Sequence, residues 1–391
     1  MAAPTNNNTL TNLIPDAYAA LDVVSRELVG FIPTVARDPR ADRVAVGQTL
    51  RSIVSPANTA GADITPAMAI PAAANQAIGN KSLTITKARF FPFSWSGEDI
   101  MAVDQGPGFL TIKQDQIAQA LRAAVNEIET DIAVAAIAGS RAYGTTAGTA
   151  PVIGDFSNAK KILDDNGAPQ SDRHVVMSTT TGVAVRGYSN LYKVNEGGDA
   201  NLIRQGLLGD LYGFMLRESA QVQTPAAGAM ASATSTNAAF TVGQTVIPLA
   251  TAGTGVVSAG DIITFANDTN KYIVASVSFA GANPASGDNI TLAAPGLRVA
   301  QSAATRAITV FGASSRNAAF SRNAIVLATR LPALPPEGDM AIDRATITDA
   351  RSGLSFEIAM YPGFRMNTYH VSVAWGVTVF KPEHLCTIIG S

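Results

Sequence analysis

One cysteine, three histidines and a charged fraction of 15% are the scarce resources of this 391-residue chain. The lone Cys386 excludes an internal disulfide and a multi-cysteine zinc site, and suits a chain that folds in a reducing compartment. Near the end of the sequence it reads as a small buried hydrophobe. His174, His370 and His384 offer few candidates for a catalytic base, and no paired-histidine metal spacing occurs. So low a charge density argues against disorder over most of the chain. The 28 basic and 30 acidic residues leave a formal charge of −2, so the molecule as a whole has no electrostatic pull toward nucleic acid; local patches stay open. The opening MAAPTNNNTL is polar, unlike a charged-then-apolar leader, and no apolar run is long enough to span a bilayer. The expectation is a protein neither exported by a visible signal nor embedded in a membrane.

What the chain does have is length for two or three domains and one dominant helical pattern. Across residues 112–139, Ile117, Leu121, Ala124 with Val125, Ile128, Ile132 and Ala135 recur at spacings of three and four. Gln116, Arg122, Glu127, Glu129 and Asp131 read as the polar residues between them. Gly139 is the expected left-handed stop. A rod of about 40 Å needs an extended partner surface, and is expected to act as a spine against which strands are laid.

Ahead of the spine, Pro15 and Asp16 open a short helix with Leu21, Val24 and Leu28 on one side. Such a helix is unstable alone and is expected to dock elsewhere. Residues 44–54 and 82–96 read as extended, the second ending in Phe90, Phe91, Phe93 and Trp95. Between them, residues 55–80 carry Pro56, Pro66 and Pro71, and read either as a surface loop or as a projecting hairpin arm. Met68, Ile70 and Ile78 favour an arm whose apolar tip another molecule covers. After the spine, Asp155 is expected to cap a helix ending at Asp164-Asp165-Asn166-Gly167; residues 175–178 and 214–218 read as strands, with helical pieces around Val183, Leu191 and Ile203.

From residue 224 to 312 almost every residue is small, hydroxylated or β-branched, with strand candidates at 240–249, 261–265, 271–279, 289–292 and 306–311. This texture predicts an inserted, closed or nearly closed β unit. Two alternations follow. Leu354, Phe356, Ile358 and Met360 form one half-buried strand. Tyr369, Val371, Val373, Trp375, Val377 and Val379 share one face of a longer strand, expected to pair with the first about Pro362-Gly363 and to lie along the spine.

Reactive constellations are thin. His384 and Cys386 lack an orienting partner, and Gly79-Asn80-Lys81-Ser82 lacks the first glycine of a phosphate loop. Gly106-Pro107-Gly108 carries no dinucleotide fingerprint. The Asp164-to-Gly167 cluster lacks the alternate ligands of a calcium loop, and Glu98 with Asp99, or Asp104 with Asp115, read as caps and loop ends rather than a glycosidase pair. No catalytic, cofactor or metal residues are assigned. Surfaces are expected to do the work.

The order of these segments resembles the major capsid proteins of tailed double-stranded-DNA bacteriophages, in the subgroup with an inserted β-barrel domain. The residues that carry the resemblance are 117–137, the run Asn317-Ala-Ala-Phe320-Ser-Arg322-Asn-Ala324-Ile-Val-Leu327-Ala, and 369–382. It implies an α+β fold with a spine helix and axial and peripheral domains. The divisions would be an N-terminal arm (1–36), an extended hairpin arm (37–106, tip 55–80), the spine helix of the peripheral domain (107–145), the first part of the axial domain (146–222), the inserted barrel (223–312) and the axial remainder with C-terminal peripheral strands (313–391). It further implies self-assembly as hexamers and pentamers of an icosahedral shell, made in the host bacterial cytoplasm and ending in the virion. Scaffolding and portal proteins, a candidate decoration protein and weakly held double-stranded DNA would be partners. Inter-subunit contacts would fall on Leu21, Val24, Leu28, Met68, Ile70, Ile78, Phe91 and Trp95. A cellular nanocompartment shell and an oligomeric enzyme with an unrecognised site stay open as alternatives.

Overall fold

The computed structural model describes residues 29–54, 66, 78–104, 109–144, 146–192, 208–251, 253–279, 283–348 and 354–391. Its longest helix, Phe109–Ala135, is the expected spine. Ala124, Val125, Ile128 and Ile132 are buried, while Ile117 and Leu121 are only partly covered. The helix ends before Gly139, which is not a left-handed stop. A Cβ at Gly139 would lie 3.1 Å from the Leu385 carbonyl, so the glycine permits a close crossing of two backbones.

The spine lies on a six-stranded sheet whose centre is the strand Met366–Val379. Its face of Val371, Val373 and Trp375 joins Ile128, Ile132, Ile325, Leu327 and Phe356 in one apolar core. Polar flanks fix the crossing: Trp375 Nε1 donates to Asp131 at 2.8 Å, and Lys87 Nζ reaches Asp131 at 2.8 Å and Glu127 at 3.2 Å. Fourteen residues give the central strand room for three neighbours. Ser355–Gly363 and then Ile325–Pro332 pair along one edge, and Lys87–Ser96 occupies the other. Asp343–Thr348 and Ala36–Val44 complete the sheet.

The hairpin turn is two residues later than Pro362-Gly363. Pro362 pairs with Asn367 and Gly363 with Met366, which leaves Phe364-Arg365 as the loop, Arg365 at φ +56°. Pro362 fits inside the strand because the neighbouring ladder ends at Asp343 opposite Met360, so no N–H is needed there. Both expected extended runs are also broken. Gly47, at φ +89°, turns the chain between Ala36–Val44 and Thr49–Val54, while Gly79–Thr84 and Lys87–Ser96 belong to different sheets. Of the expected arm, 37–106, the described residues form a two-stranded ribbon, Thr49–Val54 with Gly79–Thr84, flanked by strands of the six-stranded sheet; most of the expected tip, 55–80, lies outside the described residues.

A second sheet runs through Phe214–Glu218, Arg173–Met177, Ser315–Ser321, Leu385–Gly390 and Arg141–Tyr143. Its central strands are buried on both faces. Val176, Ala318, Phe320 and Leu385 point into the spine core; Val175, Met177, Ala319, Cys386 and Ile388 point into a separate core under the helix Ile153–Asp165. Asp155 is the third helical residue rather than the cap; its carboxylate reaches back to accept the Val152 N–H at 2.8 Å.

Residues 224–312 form a β unit around Phe240, Ile247, Leu249, Ile263, Phe265, Tyr272, Val274, Ile290 and Leu292. The strand order Thr234–Ser235, Val246–Thr251, Asn289–Leu292, Lys271–Val277, Ile262–Phe265, Ile308–Val310 returns to its start. Ser235 N–H donates to Arg306 O, and Ile308 N–H to Ala233 O, both at 2.9 Å. A ring of strands leaves few exposed edges. Lys271 and Tyr272 also pair with Ala142 and Arg141, which welds the unit to the second sheet.

Candidate interaction surfaces

Of the residues with reactive potential, Cys386, His174 and His384 are buried and His370 is half-buried. Cys386 is fully buried, and burial pushes its thiol up to about 12, far from a nucleophilic thiolate. His384 lies in the helical turn Pro382–His384 rather than on the strand of Cys386. Burial lowers all three imidazoles below their usual value, His174 despite its 2.8 Å contact with Asp172. His370 stacks on Phe90 and meets the Tyr361 ring at a tilt. Among the described residues no cluster of His, Cys, Asp and Glu has metal-ligand geometry, and no helix is long and apolar enough to cross a membrane.

The most unusual polar group is Glu129, which the periodicity assigned to the polar side of the spine. It is 1% exposed. Oε1 accepts the Gly30 and Phe31 N–H groups at 2.6 and 2.7 Å and the Ser219 hydroxyl at 2.8 Å; Oε2 accepts the Ile32 N–H at 2.9 Å. Burial raises its pKa above the usual value, and the four donors pull the other way. Phe31 and Ile32 are themselves buried in the spine core. Glu129 thus clasps the chain where it emerges from residues 1–28 onto the spine. The sequence signal was present: four after Val125 and three before Ile132, position 129 falls on the buried face.

The ribbon is anchored at its base and open beyond it. Leu83 and Ile85 pack with Val44, Ala328 and Ala374. Gly376 makes the junction possible, since a Cβ there would lie 2.2 Å from Thr84 O. Lys81 Nζ donates to Phe380 O. Further out, Ile53 and Ile78 are 80% and 74% exposed. An isolated two-stranded ribbon is marginal in water, so two bare isoleucines at the end away from the sheet call for cover.

Of the expected contact residues, Ile78 is therefore on an open surface. Phe91 is half-buried against the spine core. Trp95 is turned inward: it packs with Val103 and Tyr369, and its Nε1 donates to Gln116 at 2.6 Å. Only 7% of it is exposed, which leaves little for a neighbour. Leu21, Val24, Leu28, Met68 and Ile70 lie outside the described residues.

A surface that the periodicity did not reveal lies at one end of the six-stranded sheet. A groove of about 740 Å³ runs between residues 94–100 and 363–367. Beside it Phe364 is 92% exposed, and Met340 and Ile342 on the adjacent strand end are also open. Side chains this apolar on one rim mark a contact surface.

No family model and no curated protein matches the sequence. Solved structures do. A chain of Mycobacterium phage Che8 superposes with a TM-score of 0.50 at 12% identity, covering 96% of this chain and 97% of that one. A chain from the capsid structure of the cyanophage P-SCSP1u superposes with a TM-score of 0.52 at 10% identity, covering 94% and 89%. Both likenesses run almost end to end.

Proposed function

We propose that this chain, which has the fold of tailed-phage major capsid proteins, is itself a major capsid subunit that assembles with copies of itself into an icosahedral shell around double-stranded DNA. One observation carries the reading: the likeness spans at least 94% of this chain and at least 89% of the solved chains, so it takes in the whole architecture rather than one piece of it. The open ribbon and the apolar rim around Phe364 support it. In a shell each subunit is held by several modest contacts at once, and repeated heterologous contacts close when their angles permit. Hexamers and pentamers would be the units of the shell, the ribbon would reach over a neighbour, and the unit at 224–312 would be an inserted barrel that braces the axial part. Scaffolding, portal and decoration proteins would be the partners in a host bacterial cytoplasm, and the virion the final location.

Negative-stain microscopy of the recombinant chain, alone and with a co-expressed scaffolding partner, tests this. Closed shells or capsomer-sized rings are expected. Monomers or discrete oligomers smaller than a capsomer ring under every condition would refute it.

A further inference from the structure

We propose that the cleft between the β unit and the helix Ile153–Asp165 binds a phosphate-type oxyanion. The cleft holds about 800 Å³ and is lined by Arg141, Asn158, Lys161, Asp165, Lys271 and Arg298, among others. Its cations are poorly matched by their own chain. Arg141 is 3% exposed, yet its guanidinium reaches Asn270 only at 3.2 Å and Asp165 only at 3.4 Å, and its Nε has no partner. Arg298 shares the same Asp165 carboxylate at 3.7 Å, too long for a hydrogen bond.

Lys161 and Lys271 have no ion pair among the described residues, and Lys271 Nζ sits 5.3 Å over the Phe311 ring. Burial lowers the Lys271 pKa, with only Asp155 acting to raise it, so the ammonium lacks a close counter-ion. The other carboxylate of the wall, Asp268, is engaged by the Tyr272 hydroxyl at 2.7 Å and by the Asn270 N–H at 2.9 Å. Four cations therefore face two carboxylates, in a chain whose overall charge is −2.

A tetrahedral oxyanion carries enough acceptor oxygens and charge to meet two arginines and two lysines together, which a planar carboxylate does less well. The volume admits more than one phosphate group, so the source is either a small free phosphate or the phosphodiester backbone of a nucleic acid. Both share the chemistry that the cleft recognises.

Unassembled full-length subunits suffice for the test, so its outcome is separate from whether shells form. Two probes are used: inorganic pyrophosphate, read as a rise in melting temperature against ionic-strength-matched chloride, and a short fluorescein-labelled DNA duplex, read by anisotropy. Wild type is expected to bind at least one. Protection by pyrophosphate alone marks a small-anion site, and binding of both marks a phosphodiester site. The pair K161Q/K271Q is expected to weaken binding about tenfold or more, and for the duplex to reduce the salt slope by about 2, one per lost phosphate contact. Lys161 is exposed, so K161Q alone keeps the test valid if the pair folds poorly. K381Q makes the same charge change on an exposed residue outside the cleft. The proposal is overturned if neither probe binds wild type, if the cleft variants bind as wild type does, or if K381Q weakens binding as much as they do.

Discussion

Replacing Glu129 by leucine removes the acceptor for the Gly30, Phe31 and Ile32 N–H groups while nearly filling its volume, so little cavity cost is added. Three orphaned backbone donors at about 1.5 kcal/mol each sum to between about 4 and 5 kcal/mol. Some of that returns, because burial already disfavours the carboxylate, as its raised pKa records. A net loss of about 2–4 kcal/mol follows, or a melting temperature lower by roughly 2–5 °C for a chain of 391 residues unfolding as one unit. Amide exchange gives the local measurement: Gly30, Phe31 and Ile32 should exchange about a hundredfold faster in Glu129→Leu. Glutamine keeps one acceptor oxygen and should lose less. The pH dependence has a definite sign. Because the folded pKa is raised, the unfolded chain gives up this proton first as pH rises above the ordinary value of 4.5, so the group's contribution to stability falls across that window. Glu129→Gln should remove that slope. Wild-type melting and unchanged exchange at residues 30–32 in the leucine variant would refute the clasp.

Ile128→Asp buries a carboxylate in the spine core, at a cost of several kcal/mol, and should move the protein to the insoluble fraction on expression. Removing residues 58–77 should leave the thermal unfolding of the subunit unchanged and abolish shells in the microscope; normal assembly would end the arm hypothesis. Arg365→Gly relieves a side chain held at φ +56° and should raise the melting temperature by a degree or two, measured by calorimetry. Cys386 should resist thiol reagents in the native protein and react once denaturant is added, as absorbance with a chromogenic disulfide would record.

The elements most legible in the sequence were those whose pattern depends on one face alone. The spine announced itself because Ala124, Val125, Ile128 and Ile132 all meet the same core. The strand Met366–Val379 did so by strict alternation, and Asn289–Leu292 by the turn residues around it. Features that depend on partners distant in sequence were misread. Pro362-Gly363 has turn chemistry, yet the ladder to Met366–Val379 carries on through it, and only the end of the neighbouring strand makes that tolerable. Residues 82–96 look like one strand, but the two halves are claimed by different sheets. The charge of Glu129 points to the solvent face, whereas its spacing from Val125 and Ile132 places it inside. The rim around Phe364 was hidden for a related reason: whether that ring is covered depends on where the turn falls. Trp95 is the reverse case: its aromatic character suggests cover by a neighbour, while its own chain packs most of it.

The ladder between Lys271–Val277 and Arg141–Tyr143 has a practical consequence for anyone trimming this protein. Cutting out residues 224–312 and joining the stumps would strip Arg141–Tyr143 of its outer neighbour and leave it bonded to Leu385–Gly390 alone. The raw flank so created would be an adhesive site for stray chains. A shortened version would need a proline or a lysine planted along that flank, whereas foreign peptides spliced into turns of the intact unit would leave the seam undisturbed.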